Sequence, residues 1–218
     1  MTGHATKGDE AQVLALEERL AQDPTDVTVL TRLGALMFEP YHKPDESMAL
    51  LRRAIAADPN SVDARFWLAK CLFHYRADSE ATRATLAEAL AIDPHRPDCL
   101  SLMAAALQDL GHGPEQYVDL LRTAAQQAPG WPSPRHQLAQ ALVELGQLDE
   151  ASAVVREALG LVVTPPPVTD SLEEYTEDAV TGRARTRSQE ELERLLTDIE
   201  RRRARRSLGA SPGGERSR

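Results

Sequence analysis

The chain has 218 residues, which suits one domain of ordinary size followed by a tail. Only 4% of the residues are aromatic, whereas 42% are hydrophobic. The core must therefore be built from Leu, Ala and Val, which is typical of stacked helices rather than of sheets. The formal net charge is −9, and the residues before 165 account for all of it, with 14 Lys and Arg against 23 Asp and Glu. This acidic body argues against a general nucleic-acid-binding protein.

The start of the chain carries no sign of export. Residues 1–8 are expected to be disordered, and they lack the apolar core of a signal peptide. No stretch approaches the roughly 20 apolar residues that a membrane-spanning helix requires. Cys71 and Cys99 lie in predicted helices without a metal-ligand spacing. This favours buried, reduced thiols in a cytoplasmic protein, and a disulfide between them is the alternative.

Residues 9–23 are predicted to form a single helix that covers the N-terminal end of the fold. Val13, Leu16 and Leu20 recur at helical spacing and give this segment one apolar stripe. Its other faces are charged or polar, as expected of a helix that shields the end of a larger core.

The central part of the chain, residues 24–164, is predicted to be a repeat domain. Pro24, Pro59, Pro94 and Pro129 are each separated by 35 residues, and the first three follow an Asp. Helix-forming segments precede the last three prolines and follow all four. Proline is tolerated just after a helix ends or in its first turn. A period between 20 and 50 residues indicates a solenoid of stacked helix pairs.

The repeat resembles the tetratricopeptide repeat (TPR), a helix–turn–helix unit of about 34 residues. The large–small pair of the family's first helix is matched by Leu33/Gly34, Leu68/Ala69, Met103/Ala104 and Leu138/Ala139. The small–large–small order of its second helix is matched by Ser47-Leu51-Ala54, Thr82-Leu86-Ala89, Tyr117-Leu121-Ala124 and Ala151-Val155-Ala158. The resemblance implies an all-α, right-handed helical solenoid of four TPR-like hairpins, with flanking cap helices and a flexible C-terminal helix.

The sequence departs from the family pattern at several positions. The first three units are one residue longer than the family norm, and we expect the surplus in the loop between the two helices. Tyr117 stands where the family prefers Ala, so the third helix pair is expected to splay. Arg65 and Arg135 replace a large apolar residue. These departures affect local geometry and leave the architecture intact.

Beyond the repeats, residues 165–187 are predicted to be a proline-rich linker with a short capping helix over 171–181. A charged amphipathic helix is expected over 188–206, and a disordered tail over 207–218. The apolar seam of this helix, formed by Leu192, Leu195, Leu196 and Ile199, either docks on the solenoid or pairs with a partner helix.

The arginines of the C-terminal helix have two interpretations. They complement the helix macrodipole in a solvated helix, or they bind an anionic partner such as a nucleic acid. The candidate residues for that second role are Arg201, Arg202, Arg203, Arg205 and Arg206. No aromatic residue is interleaved with them, which weakens the case for nucleic acid.

The chain carries no recognisable catalytic motif. Nucleotide-binding glycine loops, the hydrolase nucleophile motif and the zinc-protease motif are all missing from the sequence. The six histidines share no metal-ligand spacing. We therefore predict a protein that is not an enzyme and that requires no cofactor and no metal.

In the TPR family, partners usually bind in a concave groove lined by the first helix of each unit. The resemblance therefore makes the groove-facing side chains candidates for partner binding. All three phenylalanines of the chain, together with Trp67, lie in or beside the second unit, where they either bind a partner or fill the core. The candidate partner-binding residues are Phe38, Phe66, Trp67, Lys70, Phe73, His74, Gln137 and Gln140.

The sequence thus predicts a non-enzymatic protein-interaction module, acting as an adaptor, scaffold or assembly factor. The alternative is a nucleic-acid- or ribosome-associated factor that works through its arginine-rich helix. Co-chaperones of the family grip the acidic tails of heat-shock chaperones with Lys, Asn and Arg. The matching positions here carry none of these residues, so the groove is expected to prefer an apolar or mildly basic segment. The positions concerned are Thr31, Ala35, Trp67, Asp98 and Leu102.

Overall fold

A computed structural model of the protein describes residues 6–160 and 183–209. Within these ranges the chain is helical and contains no strand. The α-helices are α1 (Lys7–Gln22), α2 (Val27–Phe38), α3 (Pro44–Ala57), α4 (Val62–Cys71), α5 (Ser79–Ile92), α6 (Pro97–Asp109), α7 (Val118–Gln127), α8 (Pro132–Glu144), α9 (Leu148–Gly160) and α10 (Arg183–Gly209). The short helix expected over 171–181 lies outside the described residues, which exclude 1–5, 161–182 and 210–218.

The helices stack in chain order, as the repeat predicts. Four successive pairs form the hairpins, namely α2–α3, α4–α5, α6–α7 and α8–α9, and each helix also packs against the one that follows it. We call α2, α4, α6 and α8 the first helices, and α3, α5, α7 and α9 the second helices. Because no hairpin covers its own apolar face, each depends on its neighbours for burial. The all-α solenoid is confirmed.

The repeated Asp–Pro pairs end the helices by one shared device. Asp23, Asp58 and Asp93 are the C-caps of α1, α3 and α5. Each carboxylate accepts a hydrogen bond from the backbone N–H two residues later, at 2.9, 2.9 and 3.2 Å respectively. Such an Asx turn offers the backbone an alternative to continuing the helix. The proline interval therefore marks the helix boundaries correctly.

The crossing of α2 and α3 is tight enough to require glycine. A Cβ at Gly34 would lie 2.7 Å from Cγ of Leu51. The hydroxyl of Ser47 donates a 2.6 Å hydrogen bond to the carbonyl oxygen of Gly34 at the same contact. The small residues of the repeat thus serve close approach between paired helices, as their pattern predicts.

Arg65 and Arg135 fill their apolar positions without breaking the core. Both side chains are buried. Arg65 donates to the carbonyl oxygen of Ser61 and pairs with Glu88 on the following helix, at 3.2 Å each. Arg135 donates to the carbonyl oxygens of Ala128, Pro129 and Trp131 and pairs with Glu157 at 3.4 Å. The methylene groups of both side chains occupy the volume of the usual apolar residue. Their guanidinium groups donate hydrogen bonds to backbone carbonyl oxygens that precede each helix.

The extra residue of each long unit is accommodated in different ways. In the first unit it lies in the loop between α2 and α3, as expected. In the second unit it is absorbed instead by a π-helical turn, Leu72–Arg76, which ends at Ala77 with a φ of 48°. The third unit has a short 3₁₀ turn, Pro114–Gln116, before α7.

The C-terminal helix is longer than predicted and is packed on the solenoid. Leu192 and Ile199 are 2% and 0% exposed and join the core of the fourth unit, while Leu195 and Leu196 pack against it. Of the two alternatives for this seam, the structure has docking on the solenoid, because the seam meets α8 and α9. The helix covers the end of the stack, as α1 does at the other end through Leu16.

Candidate functional site

The first helices line the inner side of the stack. Successive first helices contact one another, α2 with α4, α4 with α6 and α6 with α8. Successive second helices make no contact of similar extent among the described residues. The first helices therefore lie closer together, which places them on the concave surface. Side chains on their free faces therefore lie on this concave surface.

The structure places three of the predicted partner-binding residues in the core. Phe38, Phe66 and Trp67 are buried, and Trp67 is only 2% exposed. The ring of Trp67 lies 5.8 Å from that of Phe38 and 5.5 Å from that of Phe66, centroid to centroid. Of the two alternatives for Trp67, partner contact or core filling, its burial favours the core, because contacts between the first two units enclose its indole.

Lys70 lies over this aromatic cluster. Its Nζ atom is 4.7 Å from the ring centre of Trp67, 5.4 Å from that of Phe38 and 5.9 Å from that of Phe66. An ammonium within about 6 Å of an aromatic face is attracted by the ring quadrupole. Lys70 is half-buried, so the three rings hold a positive charge at the concave surface of the second unit.

Phe73 and His74 lie on the π-helical turn at the end of α4. Phe73 is half-buried and His74 is exposed, and their rings make an edge contact at 5.3 Å. The ring of His74 also lies 5.9 Å from that of Phe38. Burial against these rings and the charge of Lys70 lower the pKa of His74, while Glu39 raises it. This edge of the cluster remains accessible to a partner.

Gln137 and Gln140 line a cavity between α6 and α8. It has a volume of about 140 Å³ and is bounded by Ala104, Ala105, Gln108, Tyr117, Leu121, Gln137, Gln140 and Ala141. Gln137 is half-buried and Gln140 is exposed. The Oε1 atom of Gln137 is buried and accepts no hydrogen bond from the described residues. The cavity lining thus combines alanine and leucine side chains with the amides of three glutamines.

Tyr117 forms part of the cavity wall and is buried. Its burial raises the pKa of the phenol, as do the charge of Glu144 and a hydrogen bond with that carboxylate. The charge of Glu115 acts in the same direction. Two carboxylates therefore lie near the hydroxyl at one side of the cavity.

A smaller cavity of about 130 Å³ lies where the C-terminal helix meets α8. Its lining includes Pro132, Ser133, His136, Glu191 and Leu192. Burial lowers the pKa of His136, whereas the charge of Glu191 raises it. This cavity belongs to the contact between the cap helix and the solenoid.

The candidate arginines of α10 are exposed, and three of them hold the helix in place or support it. Arg203 pairs with Asp149 of α9 at 2.5 Å, and Arg206 donates to the carbonyl oxygen of Gly146 at 2.8 Å. Arg202 pairs with Asp198 of its own helix at 2.7 Å. The remaining two, Arg201 and Arg205, point to solvent. The helix therefore presents a smaller basic surface than its sequence predicts.

Other reactive groups do not form a second site in the part of the chain that is described. Cys71 and Cys99 are free and buried. Among residues 6–160 and 183–209, no group of three His, Cys, Asp or Glu is placed to hold a metal ion. No helix in these ranges is long and apolar enough to cross a membrane.

Sequence reasoning missed part of the cavity lining. Ala104 and Leu121 match core positions of the repeat, Tyr117 is a departure from it, and Ala141 is not among the positions that the sequence singles out. The three consecutive alanines after Met103 were the available signal, since small side chains on a first helix leave space beside it. The departure at Tyr117, on the facing second helix, points to the same place.

Comparisons with known proteins agree with this geometry. The family model described as "Tetratricopeptide repeat" matches residues 41–105. Comparison with curated protein sequences finds no match.

Solved structures with the same fold include those of MamA and YrrB. A crystal structure of MamA is 20% identical in sequence, covers 69% of this chain and 86% of its own, and has a TM-score of 0.57. A crystal structure of YrrB, described as "a TPR protein with an unusual peptide-binding site", is 16% identical. It covers 85% of this chain and 90% of its own, with a TM-score of 0.59.

Proposed function

Because this chain is a tetratricopeptide-repeat protein, we propose that it is a protein-interaction module. Its concave surface, lined by α2, α4, α6 and α8, binds a segment of a partner protein. In this role the chain acts as an adaptor, scaffold or assembly factor and performs no covalent chemistry. The proposal includes a cytoplasmic location, consistent with two reduced, buried cysteines.

The observation that carries the proposal is the open cavity on the concave surface between α6 and α8. Protein interiors are close-packed and contain few voids larger than a water molecule. A side-chain-sized space that opens on the concave surface is therefore suited to a side chain from outside. YrrB, which has the same fold, is described as having a peptide-binding site, and this supports peptide binding by a fold of this kind.

The concave surface also offers groups that suit a peptide. Gln108 and Gln140 present exposed amides that can pair with a peptide backbone, and His74 lies exposed at the end of α4. Lys70 adds a positive charge above the aromatic cluster. We therefore assign partner binding to Lys70, Phe73, His74, Gln137 and Gln140, and assign Phe38, Phe66 and Trp67 to their support.

We assign the arginines of α10 to the fold rather than to nucleic-acid binding. Three of these guanidinium groups bind acceptors within the molecule, those of Arg202, Arg203 and Arg206. Nucleic-acid affinity depends mainly on cations that are available to phosphates. The acidic excess of the repeat domain would further oppose a polyanion.

Affinity capture from the native cells tests the function. The full chain is compared with Gln140→Arg, which places a long charged side chain on the concave surface. The matched control is Ala84→Arg on the exposed face of α5, a second helix. We expect Gln140→Arg to lose captured proteins that the wild type and Ala84→Arg retain. Equal capture by all three, with unchanged circular dichroism, would overturn the assignment of the concave surface.

A further inference from the structure

We propose that the cavity between α6 and α8 takes one aliphatic side chain, of leucine or methionine size, from a basic peptide segment of the partner. A peptide N–H of that segment donates to Oε1 of Gln137, and a Lys or Arg beside the anchor faces Glu144 and Glu115. This inference rests on the proposed function and names the partner's chemistry at one position.

The size of the cavity selects the anchor. An apolar cavity of roughly 150 Å³ accommodates benzene in another protein. The volume here, about 140 Å³, therefore suits a branched or linear aliphatic side chain. Its lining includes Leu121 and three alanines, Ala104, Ala105 and Ala141, so burial of an aliphatic group against them is favourable.

The cavity exists because the third and fourth units lack the aromatic side chains that fill the equivalent place two repeats earlier. Gln108 lies 70 residues after Phe38, and Gln137 lies 70 residues after Trp67, so each pair occupies the same register. Between α2 and α4, Phe38 and Trp67 are both buried, and their ring centroids lie 5.8 Å apart. With Gln at both positions, the space beside Tyr117 stays open.

Gln137 provides a hydrogen-bond acceptor that the partner segment must pair with a donor. Its buried Oε1 atom has no donor among the described residues. A buried acceptor without a partner carries a desolvation cost that a ligand N–H removes. An aliphatic side chain attached to a peptide backbone brings such a donor within a few ångströms of the anchor. A simple hydrocarbon would leave the acceptor unpaired.

Charge complementarity favours a basic residue next to the aliphatic anchor of the partner. Glu144 and Glu115 are exposed, and both act on the hydroxyl of Tyr117 in the cavity wall. None of the residues that line the cavity is basic. A cation next to the anchor is therefore attracted, and a carboxylate there is repelled.

Capped peptides test the inference directly on the full-length protein. The probe is a nonapeptide of Gly and Ser with a central Leu–Lys pair, and its two controls carry Ser–Lys and Leu–Glu. Binding is followed by the side-chain amide NMR signals of Gln137 and Gln140. We expect the Leu–Lys peptide to shift both signals. Each control peptide is expected to bind at least about tenfold more weakly. Equal binding by Leu–Lys and Ser–Lys would overturn the aliphatic anchor, and equal binding by Leu–Lys and Leu–Glu would overturn the basic neighbour.

Two variants separate a binding role from a structural one. Ala105→Met fills the cavity and is expected to reduce Leu–Lys binding about tenfold, whereas Ala87→Met, on the exposed face of α5, leaves it unchanged. Gln137→Met removes the unpaired acceptor and is expected to raise the melting temperature while weakening the peptide at least fivefold. A stabilised Gln137→Met that binds as tightly as the wild type would overturn the role of Oε1.

The outcome distinguishes this inference from the broader function. If no peptide shifts the Gln137 signal while Gln140→Arg still abolishes capture of partner proteins, the cavity assignment is wrong and the protein-interaction function stands. If capture is insensitive to Gln140→Arg and the Leu–Lys peptide also fails to bind, both are wrong.

Discussion

Arg206 donates a hydrogen bond of 2.8 Å to the carbonyl oxygen of Gly146, 60 residues earlier in the chain. Gly146 follows the last turn of α8, where backbone carbonyls lack helical partners and the helix dipole is negative. The arginine of the C-terminal helix thus caps a helix of the solenoid. With Arg203 on Asp149 and Arg156 on Glu200, it fixes α10 across the last hairpin.

Removal of the apolar contact of α10 should destabilise the whole repeat domain. Ile199 is fully buried against the fourth unit. We expect Ile199→Ala to lower the free energy of unfolding by about 2–5 kcal/mol, from lost burial and the cavity left behind. Urea denaturation measures this, with the exposed Leu14→Ala as a control that should stay within about 0.5 kcal/mol. An Ile199→Ala chain as stable as the control would mean that α10 is not a cap.

Trp67 should behave as a core residue. Its indole is enclosed by Phe38 and Phe66 and covered by Lys70. Trp67→Ala is expected to cost about 3–5 kcal/mol of stability. Thermal denaturation and partner capture are compared at a temperature where the variant is still folded. Normal stability combined with lost capture would instead make Trp67 a contact residue.

Arg96 joins the starts of α4 and α6 through two carboxylates. It pairs with Asp63 at 2.6 Å and with the buried Asp98 at 3.0 Å. Removing the cation leaves the charge of Asp98 without this partner, so Arg96→Met should lower stability by about 3–5 kcal/mol. The control is Arg83→Met, which breaks an exposed pair with Glu80 and should leave the denaturation midpoint nearly unchanged. Similar denaturation midpoints for the two variants would contradict a structural role for the buried pair.

Acid should weaken the fold through two histidines. Burial lowers the pKa of His74 and of His136, so the unfolded chain binds protons more readily than the folded one. Their contribution is therefore complete above the unfolded pKa of about 6.5 and is lost as the pH falls through the lower folded values. Urea midpoints between pH 7.5 and pH 5 measure the loss.

Substitution of these histidines should flatten the pH profile. His74→Asn and His136→Asn each remove one titrating group, whereas His95→Asn, in the exposed turn before α6, is the matched control. We expect a smaller decrease in stability toward pH 5 for the first two variants than for the control. A profile unchanged by both would assign the acid sensitivity to other groups.

The features that local chemistry decides could be predicted from the sequence. Asp23, Asp58 and Asp93 each precede a proline, and each carboxylate accepts a hydrogen bond from the backbone N–H two residues later. This combination ends a helix, so the spacing of the Asp–Pro pairs revealed the period of the repeat. Gly34 and the small residues of the second helices revealed the crossings. The seam of Leu192 and Ile199 indicated a helix with one buried face, although two partners for that face remained open.

The features that depend on contacts between units could not be predicted. Trp67 lies next to the core stripe of α4, and its burial depends on Phe38, which comes 29 residues earlier in a different helix. The cavity depends in the same way on Ala105 and Gln137, which come from separate first helices, and on Tyr117 from a second helix. Sequence alone placed Gln137 and Gln140 on the first helix of the fourth unit but gave no indication of the cavity that they line.

Site-specific photo-crosslinking in the native cells tests the central claim most directly. A benzoylphenylalanine is placed at position 140 on the concave surface, and at position 84 on the exposed face of α5 as the control. Our account predicts a discrete protein adduct from position 140, reduced by Ala105→Met, and no such adduct from position 84. Adducts from position 84 alone, or none from position 140 in a chain with normal circular dichroism, would contradict it.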